Sequence, residues 1–314
     1  MKSERIYIDE EKLSYFDTYI LERSSELKPG FKRPAVLVCP GGGYQYTSDR
    51  EGEPIALAFN AMGYHAFVLR YGVDKRAVFP KPLKDISKTM EYIKTHSGEW
   101  DVNPNKIFVQ GGSAGGHLAA SLGVCWNNKE YFPEYEGREE LIRPAGMILA
   151  YPVIDLKCTT TGLDVGFGDV DIGSCDFAYD EGAVKKSDVL YKKDGRVLIN
   201  FEVHMNAYMF GGYATDEQIE KYSVNRHVTA DSVPAFIWHS SRDDLIFPTN
   251  SMLLTKALMD NNVPVELHMF DAGGHGMALS NEVTANNFWE IDDRCEKWLS
   301  LASLWMRDMT KEDK

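Results

Sequence analysis

The chain has 314 residues, of which 44% are hydrophobic, and its formal net charge is −13. These values predict a globular chain with a sizeable core, and the negative charge argues against nucleic acid or an anionic membrane as partner. No apolar run approaches the roughly 18 residues of a membrane span, there is no signal-peptide pattern, and the five cysteines contain no C-x-x-C pair, so we expect a cytoplasmic protein without disulfides or bound metal.

Strand-like and helix-like segments alternate through the first third of the chain. Residues 34–38 are continuously apolar, as expected of a central strand that is covered on both faces. Residues 82–93 carry apolar side chains at a helical spacing. In chain order, we predict short antiparallel edge strands at 6–8 and 15–21, strands at 34–38, 64–69 and 106–110, and helices at 54–59 and 82–93.

The same alternation returns in the second half of the chain. We predict strands at 145–151, 234–238 and 263–270, and helices at 249–259 and 286–306. The last helix carries an apolar stripe that we expect to pack in the core: Phe288, Ile291, Cys295, Trp298, Leu299, Ala302 and Trp305. Alternating strands and helices predict a mostly parallel sheet with helices on both faces, and such sheets place their sites at the carboxyl ends of the strands.

One segment, residues 156–203, interrupts this alternation. It has little periodicity and many Asp and Gly residues. We interpret it as an insertion within a single domain of residues 1–314, which emerges at the carboxyl edge of the sheet and forms a cap near the site. Its acidic residues lack the spacing of an EF-hand loop, so we expect a solvated surface and not a calcium site.

Ser113 stands between Gly111 and Gly115 in the pattern G-x-S-x-G, after a buried strand and before a helix-favouring stretch. This is the pattern of a nucleophile elbow, in which small neighbours allow a sharp turn that exposes the serine hydroxyl. A dinucleotide-binding loop is excluded because Ser113 and Ala114 stand where glycines are needed, and a Walker loop because His117 stands where lysine is needed. A glycine-rich turn without chemistry is the alternative.

A serine nucleophile needs a base, and the base needs an orienting acid; in elbow hydrolases they follow in the order Ser, acid, His. His275 lies in a glycine-rich loop directly after the last predicted strand and is the candidate base, whereas His268 lies within that strand. Asp243 follows the preceding strand and stands three residues before an apolar position, so it is the first candidate acid. Asp244 and Asp155 are the alternatives.

A tetrahedral intermediate needs backbone N–H groups that point at its developing negative charge. Three successive glycines, 41–43, follow the predicted central strand, and glycine allows the close approach and the unusual angles of such a loop. Ala114, the residue after the nucleophile, supplies the second donor in an elbow. The elements therefore come in the order that a serine hydrolase requires.

Four motifs together resemble the α/β-hydrolases of the acetyl esterase/lipase type, close to bacterial acetylxylan esterase-like and feruloyl-esterase-like hydrolases. They are Pro40-Gly41-Gly42-Gly43-Tyr44, Gly111-Gly112-Ser113-Ala114-Gly115-Gly116-His117-Leu118-Ala119, Asp243 with Asn250-Ser251, and Gly274-His275-Gly276. The resemblance covers residues 33–304 without the insertion, and Pro40 replaces a common histidine. It implies an α/β-hydrolase fold, no cofactor or metal, a triad of Ser113, Asp243 and His275, and an oxyanion hole lined by Gly42, Gly43 and Ala114.

Tyr44, Arg50 and Glu51 belong to or follow the glycine loop and are candidate pocket residues. A surface ion pair of Arg50 and Glu51 is the alternative. His117 lies on the elbow helix, where we expect packing and not catalysis. Aromatic side chains in and beside the insertion could stack on a sugar or an aryl group, or pack within the cap: Phe167, Phe177, Tyr179, Tyr208 and Phe210.

The hypothesis from the sequence is a serine carboxylesterase that hydrolyses short-chain acyl esters, such as acetylated sugars or xylan fragments, through a covalent acyl-enzyme. Its partner would be a small-molecule ester, and self-association as a homo-oligomer is left open. An arylformamidase-like amide hydrolase is the nearest alternative, because the same machinery cleaves formyl amides. A non-catalytic binding protein on the same fold is the alternative from another class.

Overall fold

An eight-stranded sheet with parallel central strands organises the fold. The computed structural model describes residues 1–24, 26, 30–76, 78–160, 162–167 and 183–311. Its strands are β1 (Arg5–Tyr7), β2 (Tyr15–Tyr19), β3 (Arg33–Cys39), β4 (His65–Arg70), β5 (Val102–Gly112), β6 (Met147–Ala150), β7 (Leu163–Phe167), β8 (Leu190–Lys193), β9 (Arg196–Ile199), β10 (Ala235–Ser240) and β11 (Val265–Phe270). The order in the large sheet is β1-β2-β4-β3-β5-β6-β10-β11.

Helices cover both faces of this sheet. The helices of the described chain are α1 (Glu53–Ala61), α2 (Lys81–Thr95), α3 (Ser113–Cys125), α4 (Lys186–Val189), α5 (Phe201–Phe210), α6 (Asp216–Tyr222), α7 (Thr249–Asp260) and α8 (Lys297–Thr310), of which α1, α2, α3, α7 and α8 cover the sheet. Along β3, Leu37 belongs to the core under α2, α3 and α7, whereas Val36 and Val38 belong to the core under α1 and α8. None of the described helices combines the length and the apolar character of a membrane span.

The predicted mostly parallel sheet with helices on both faces is confirmed. The antiparallel pairing of the first two strands is also confirmed, and β2 continues into the sheet by pairing with β4. The strands that precede the candidate catalytic residues, β5, β10 and β11, run parallel to their neighbours. Their carboxyl ends therefore lie at one edge of the sheet, where the site was expected.

The prediction of one helix over residues 286–306 is wrong in its first half. The helix α8 begins only at Lys297, after a single 3₁₀ turn at Phe288–Glu290, and the ring of Phe288 is 84% exposed. The side chain of Asp292 accepts hydrogen bonds from the N–H groups of Arg294 and Cys295, which holds this stretch in a turn. The second half of the apolar stripe, from Cys295 onward, packs in the core as predicted.

The insertion is more regular than its sequence predicts. Its described part contains a three-stranded antiparallel sheet in the order β7-β9-β8, and the helices α5 and α6 follow this sheet in the chain. The bounds of the insertion and its role as a cap stay predictions. Of the aromatic candidates, Tyr208 packs against His204 on α5, and Phe210 packs against Phe79, which precedes α2. Phe177 and Tyr179, the side chain of Phe167 and the acidic stretch from residue 168 to 182 lie outside the described residues.

Candidate active site

Ser113 lies at the turn between β5 and α3. The strand ends at Gly112, the helix begins at Ser113, and the φ angle of Ser113 is +53°. A positive φ is strained for a residue with a Cβ and often marks a functional turn. The turn lies so close to β3 that a Cβ at position 115 would collide with the carbonyl oxygen of Cys39, so Gly115 is required sterically. The local geometry is that of a nucleophile elbow.

Three side chains from three loops form one chain of hydrogen bonds. The Nε2 of His275 lies 2.8 Å from the Oγ of Ser113, and its Nδ1 lies 2.7 Å from the Oδ2 of Asp243. Asp243 is in the loop after β10, and His275 is in the loop after β11. The structure therefore brings together the nucleophile, base and acid candidates at distances that proton transfer requires.

The other candidate acids and the other candidate base lie outside this chain of hydrogen bonds. Asp244 is exposed. The Oδ2 of Asp155 pairs with the guanidinium group of Arg226 at 3.1 Å. The Nε2 of His268 lies 2.6 Å from the Oε1 of Glu266 within β11. The geometry therefore favours the first candidate acid and the first candidate base.

The carboxylate of Asp243 is fully buried and accepts hydrogen bonds on both oxygens. Its Oδ1 accepts from the backbone N–H groups of Leu245 at 3.0 Å and Ile246 at 2.9 Å. Its Oδ2 accepts from His275 and also from the Nε2 of His239 at 3.1 Å. Sequence reasoning did not find His239, because an isolated histidine within a buried strand has the pattern of a packing residue.

Electrostatics keep this carboxyl group ionised. Burial alone would raise the pKa of Asp243, but the charge of His275 and the hydrogen bonds from two imidazoles hold that pKa well below its usual range. Burial lowers the pKa of His275, and the neighbouring Asp243 carboxylate more than offsets this, so that the pKa of His275 is raised. The imidazole is therefore a stronger base toward the Ser113 hydroxyl than a free histidine would be.

The glycine loop and the first turn of α3 border the same space. Gly42 and Gly43 line the cavity that contains Ser113, and Gly42 has a φ angle of +127°. A Cβ at position 42 would collide with the carbonyl oxygen of Tyr46, so no other residue fits there. Ala114 lies in the first turn of α3, where backbone N–H groups have no acceptor within the helix. The role of these groups as oxyanion donors stays a prediction.

A cavity of about 240 Å³ opens beside Ser113. Its walls include Gln45, Ser48, Arg50 and Glu51 after β3, and Phe201 and His204 from the cap helix α5. The volume lies just below the range of about 300 to 1,000 Å³ that holds drug-sized ligands. Within the described residues, no group of three or more His, Cys, Asp or Glu side chains could hold a metal ion. The cavity fits a small ligand.

The three candidate pocket residues occupy different places. Arg50 and Glu51 line the cavity, and their contact with a substrate stays a prediction. Tyr44 is fully buried instead, and its hydroxyl lies 2.8 Å from the Nδ1 of His117, so the pair packs beneath the glycine loop. The surface pair that was the alternative for Arg50 and Glu51 is not what the structure shows: Arg50 binds Glu290 at 2.5 Å, and Glu51 is buried.

Two family models match the chain. The BD-FAE model matches residues 25–162, and the prolyl oligopeptidase family model matches residues 191–293. Among solved structures, MGS-M1, an alpha/beta hydrolase enzyme from a Medee basin deep-sea metagenome library, is 30% identical, with 98% of each chain covered and a TM-score of 0.69. The chain belongs to the α/β-hydrolase family. The family resemblance inferred from the motifs is thereby confirmed.

Curated relatives of this α/β hydrolase are longer proteins. Endo-1,4-beta-xylanase B of Butyrivibrio fibrisolvens is 31% identical over 255 residues, which cover 80% of this chain and 33% of the relative. Acetylxylan esterase of Xylanibacter ruminicola is 24% identical over 250 residues, which cover 78% of this chain and 41% of the relative. The present chain thus matches only a third to two fifths of the length of these relatives.

Proposed function

We propose that this α/β hydrolase is a serine carboxylesterase that cleaves short-chain acyl esters through a covalent acyl-enzyme. The observation that carries the proposal is the chain of hydrogen bonds from Ser113 through His275 to Asp243, which lies beside a small cavity. The α/β-hydrolase family supports the same chemistry. Serine, histidine and aspartate suffice for ester hydrolysis, so the reaction needs no cofactor or metal.

Acylation begins at the strained turn. The Oγ of Ser113 attacks the ester carbonyl carbon while its proton passes to the Nε2 of His275. The negative charge that develops on the carbonyl oxygen is held by backbone N–H groups of Gly42, Gly43 and Ala114. The tetrahedral intermediate then collapses, the bond to the alcohol oxygen breaks, and His275 returns the proton to the leaving alcohol.

Deacylation repeats these steps with water as the nucleophile. His275 takes a proton from water, hydroxide adds to the acyl carbon, and the bond to the Oγ of Ser113 breaks as the serine regains a proton. Asp243 holds the imidazole in one orientation and stabilises its positive charge in both halves of the reaction. The products are a short carboxylic acid and an alcohol.

Acetylated sugars or xylan fragments are the substrates that we propose. The cavity has room for a short acyl group, and Gln45, Ser48 and Arg50 offer hydrogen-bonding groups for the hydroxyls of a sugar. A xylanase and an acetylxylan esterase among the relatives support the same class of substrate. The partner is then a small molecule. Cytoplasmic location, the absence of nucleic acid or membrane partners, and self-association stay predictions.

Ester hydrolysis by matched variants tests this proposal. Wild type, Ser113→Ala and the control Ser121→Ala are assayed on p-nitrophenyl acetate, butyrate and octanoate, and then on acetylated xylo-oligosaccharides. Ser121 lies on the same helix, and its buried hydroxyl only donates to the carbonyl oxygen of His117. We expect wild type and Ser121→Ala to prefer acetate, and Ser113→Ala to lose on the order of 10⁶ in kcat.

Two outcomes would contradict the proposal. Hydrolysis by Ser113→Ala at the wild-type rate would exclude this serine as the nucleophile. A wild type that cleaves none of these esters would exclude the esterase, and an aryl formamide would then be tried before a binding role.

A further inference from the structure

Glu51 forms a buried, negatively charged wall of the catalytic cavity. Glu51 is only 5% exposed, and each of its two carboxylate oxygens accepts a short hydrogen bond. The Oε2 accepts from the N–H of Gly41 at 2.6 Å, and the Oε1 accepts from the hydroxyl of Tyr151 at 2.6 Å. A buried carboxylate is costly unless its hydrogen bonds are complete, and these bonds connect it to the glycine loop of the site.

Tyr151 extends this connection to the loop that carries His275. Tyr151 follows β6 directly, in a strained conformation with a φ angle of +37°. Its ring lies edge-on to the imidazole of His275, with ring centroids 5.2 Å apart. Its hydroxyl oxygen accepts a hydrogen bond from the N–H of Ala278 at 2.9 Å while its proton goes to Glu51. One carboxylate thus joins the glycine loop to the histidine loop.

Arg50 provides a second connection between the same two loops. Its guanidinium group donates to the carbonyl oxygen of Gly276 at 3.2 Å and to that of Thr284 at 2.6 Å, and it pairs with Glu290. Gly276 is the residue after His275. Two adjacent side chains, Arg50 directly and Glu51 through Tyr151, therefore reach from the segment after the glycine loop to the segment that follows the catalytic histidine candidate.

A neutral amide could not accept both hydrogen bonds, because its nitrogen only donates, whereas the N–H of Gly41 and the hydroxyl of Tyr151 both donate to Glu51. The carboxylate also places a negative charge in the cavity wall. The imidazole of His275 is faced by Asp243, Glu51 and Asp244, whose charges all raise its pKa, while burial lowers that pKa. Arg50 contributes the opposing charge nearby, through its bond to the Gly276 carbonyl. Glu51 and His275 line the same cavity and both contact Tyr151, so the carboxylate is placed to stabilise the imidazolium that forms during each half of the reaction.

We propose that Glu51 is a positioning residue of the hydrolase, which fixes the glycine loop through Gly41, fixes the His275 loop through Tyr151, and stabilises the protonated histidine by its charge. This role rests on the proposed function, because it presupposes that Ser113 is attacking an acyl or phosphonyl centre. Glu51 touches neither the reacting atoms nor the hydroxyl of Ser113, so it acts only through its neighbours.

Three variants separate the bridge from the charge. Glu51→Gln keeps the size of the side chain but removes the charge and one acceptor. Tyr151→Phe removes the bridge to Ala278 and leaves the carboxylate in place. Glu53→Gln is the matched control, because Glu53 is an exposed residue at the start of α1, two positions away. Thermal unfolding and circular dichroism establish that each variant is folded.

The readouts are the pH profile of kcat/KM on p-nitrophenyl acetate and the rate of labelling by a fluorophosphonate. In the labelling reaction the Oγ of Ser113 forms a bond to phosphorus, fluoride leaves, and the serine proton passes to His275. Loss of an oxyanion donor typically lowers kcat about 100 to 1,000-fold. Glu51→Gln and Tyr151→Phe only displace the loops, so we expect them to lower kcat about tenfold with little change in KM. We also expect Glu51→Gln, and not Tyr151→Phe, to shift the acid limb to lower pH because the pKa of His275 falls.

Each outcome decides part of the proposal. If Glu51→Gln and Tyr151→Phe both fold, and both react with the fluorophosphonate and hydrolyse the ester at the rates of Glu53→Gln, Glu51 has no positioning role. If Glu51→Gln is slow but its acid limb stays in place, the electrostatic role is wrong. If Glu51→Gln does not fold, Tyr151→Phe alone tests the bridge, and wild-type rates would overturn it. If the wild type is labelled but cleaves no ester, the esterase proposal fails, while the labelling rates still test Glu51.

Discussion

The tautomer of His275 follows from its two hydrogen bonds. The carboxylate of Asp243 can only accept, so the Nδ1 of His275 carries the proton, and the Nε2 is left free to accept the proton of Ser113. His239 also donates to Asp243 through its Nε2, which shares its proton with the carbonyl oxygen of Ile246. The acid is thus held from two sides, and its orientation does not depend on the histidine that moves protons.

The raised pKa of His275 predicts how activity depends on pH. Only the neutral imidazole can accept the serine proton, so kcat/KM falls as the pH decreases through the pKa of His275, which lies above the usual 6.5. Asp243→Asn removes the charge that raises this pKa and permits the wrong tautomer. We expect its acid limb at lower pH and a loss of about 10⁴ in kcat.

The measurement is a pH profile of kcat/KM from about pH 4 to 9, a span that covers the usual range of histidine pKa values. Asp244→Asn serves as the control, because Asp244 is the exposed neighbour of the acid and its charge raises the pKa of His275 less than that of Asp243 does, so the acid limb should shift less than in Asp243→Asn. An acid limb below pH 6.5 in the wild type, or an equal shift in both variants, would contradict the assignment of Asp243 as the partner of His275.

The cap helix α5 is tied to the acid loop at its first residue. The N–H of Phe201 donates to the carbonyl oxygen of Thr160 at 3.1 Å, and the N–H of Thr160 donates to that of Leu245 at 3.0 Å. Through these bonds, the ring of Phe201 and the imidazole of His204 are held at the wall of the cavity. The helix α5 therefore forms part of the cavity wall without contributing to the chain of hydrogen bonds at Ser113.

Truncation of the cap wall is expected to change selectivity more than reactivity. Phe201→Ala enlarges the cavity, so the ratio of kcat/KM for p-nitrophenyl octanoate to that for acetate should rise by about tenfold, the scale of hydrophobic pocket discrimination. Phe210→Ala is the control: it is the same truncation on the same helix, but its ring packs against Phe79 and Tyr222 outside the cavity. Equal ratios in the two variants would mean that the cap does not limit the acyl group.

At the scale of the whole molecule, the sheet could be predicted because its central strands contain continuous apolar runs. β3 and β10 are buried on both faces, so they stand out in the sequence as apolar runs. The start of α8 could not be predicted in the same way. The spacing of Phe288 and Ile291 continues the helical stripe in the sequence, but hydrogen bonds that the Asp292 side chain accepts from backbone N–H groups hold that stretch in a turn.

The catalytic candidates could be predicted for a different reason. A nucleophile elbow and a histidine loop carry local glycine signatures, so Ser113 and His275 are visible in the sequence. Glu51, Tyr151 and His239 carry no such signature, because their importance arises from contacts between segments that lie far apart in the chain. The bond between Glu51 and Tyr151, for instance, joins residues 100 positions apart.

Trp298 connects the stability of the core to the position of the histidine loop. It is fully buried, stacks on Trp238 with ring centroids 5.6 Å apart, and donates from its Nε1 to the carbonyl oxygen of Ala278 at 2.9 Å. Ala278 is the same residue whose N–H binds Tyr151. The hydrogen bond from Trp298 thus anchors the segment that follows His275 to the core.

We expect Trp298→Ala to lower the free energy of unfolding by about 3 to 5 kcal/mol, since it leaves a cavity in the core and an unpaired carbonyl. Trp298→Phe keeps a ring but removes the donor, so it should cost about 1 to 3 kcal/mol and also slow ester hydrolysis while the protein is folded. Leu304→Ala, an exposed position on the same helix, should stay within about 0.5 kcal/mol of wild type. Urea unfolding measures all three, and a Trp298→Phe protein with lowered stability but wild-type kcat would show that Ala278 does not need this bond to position His275.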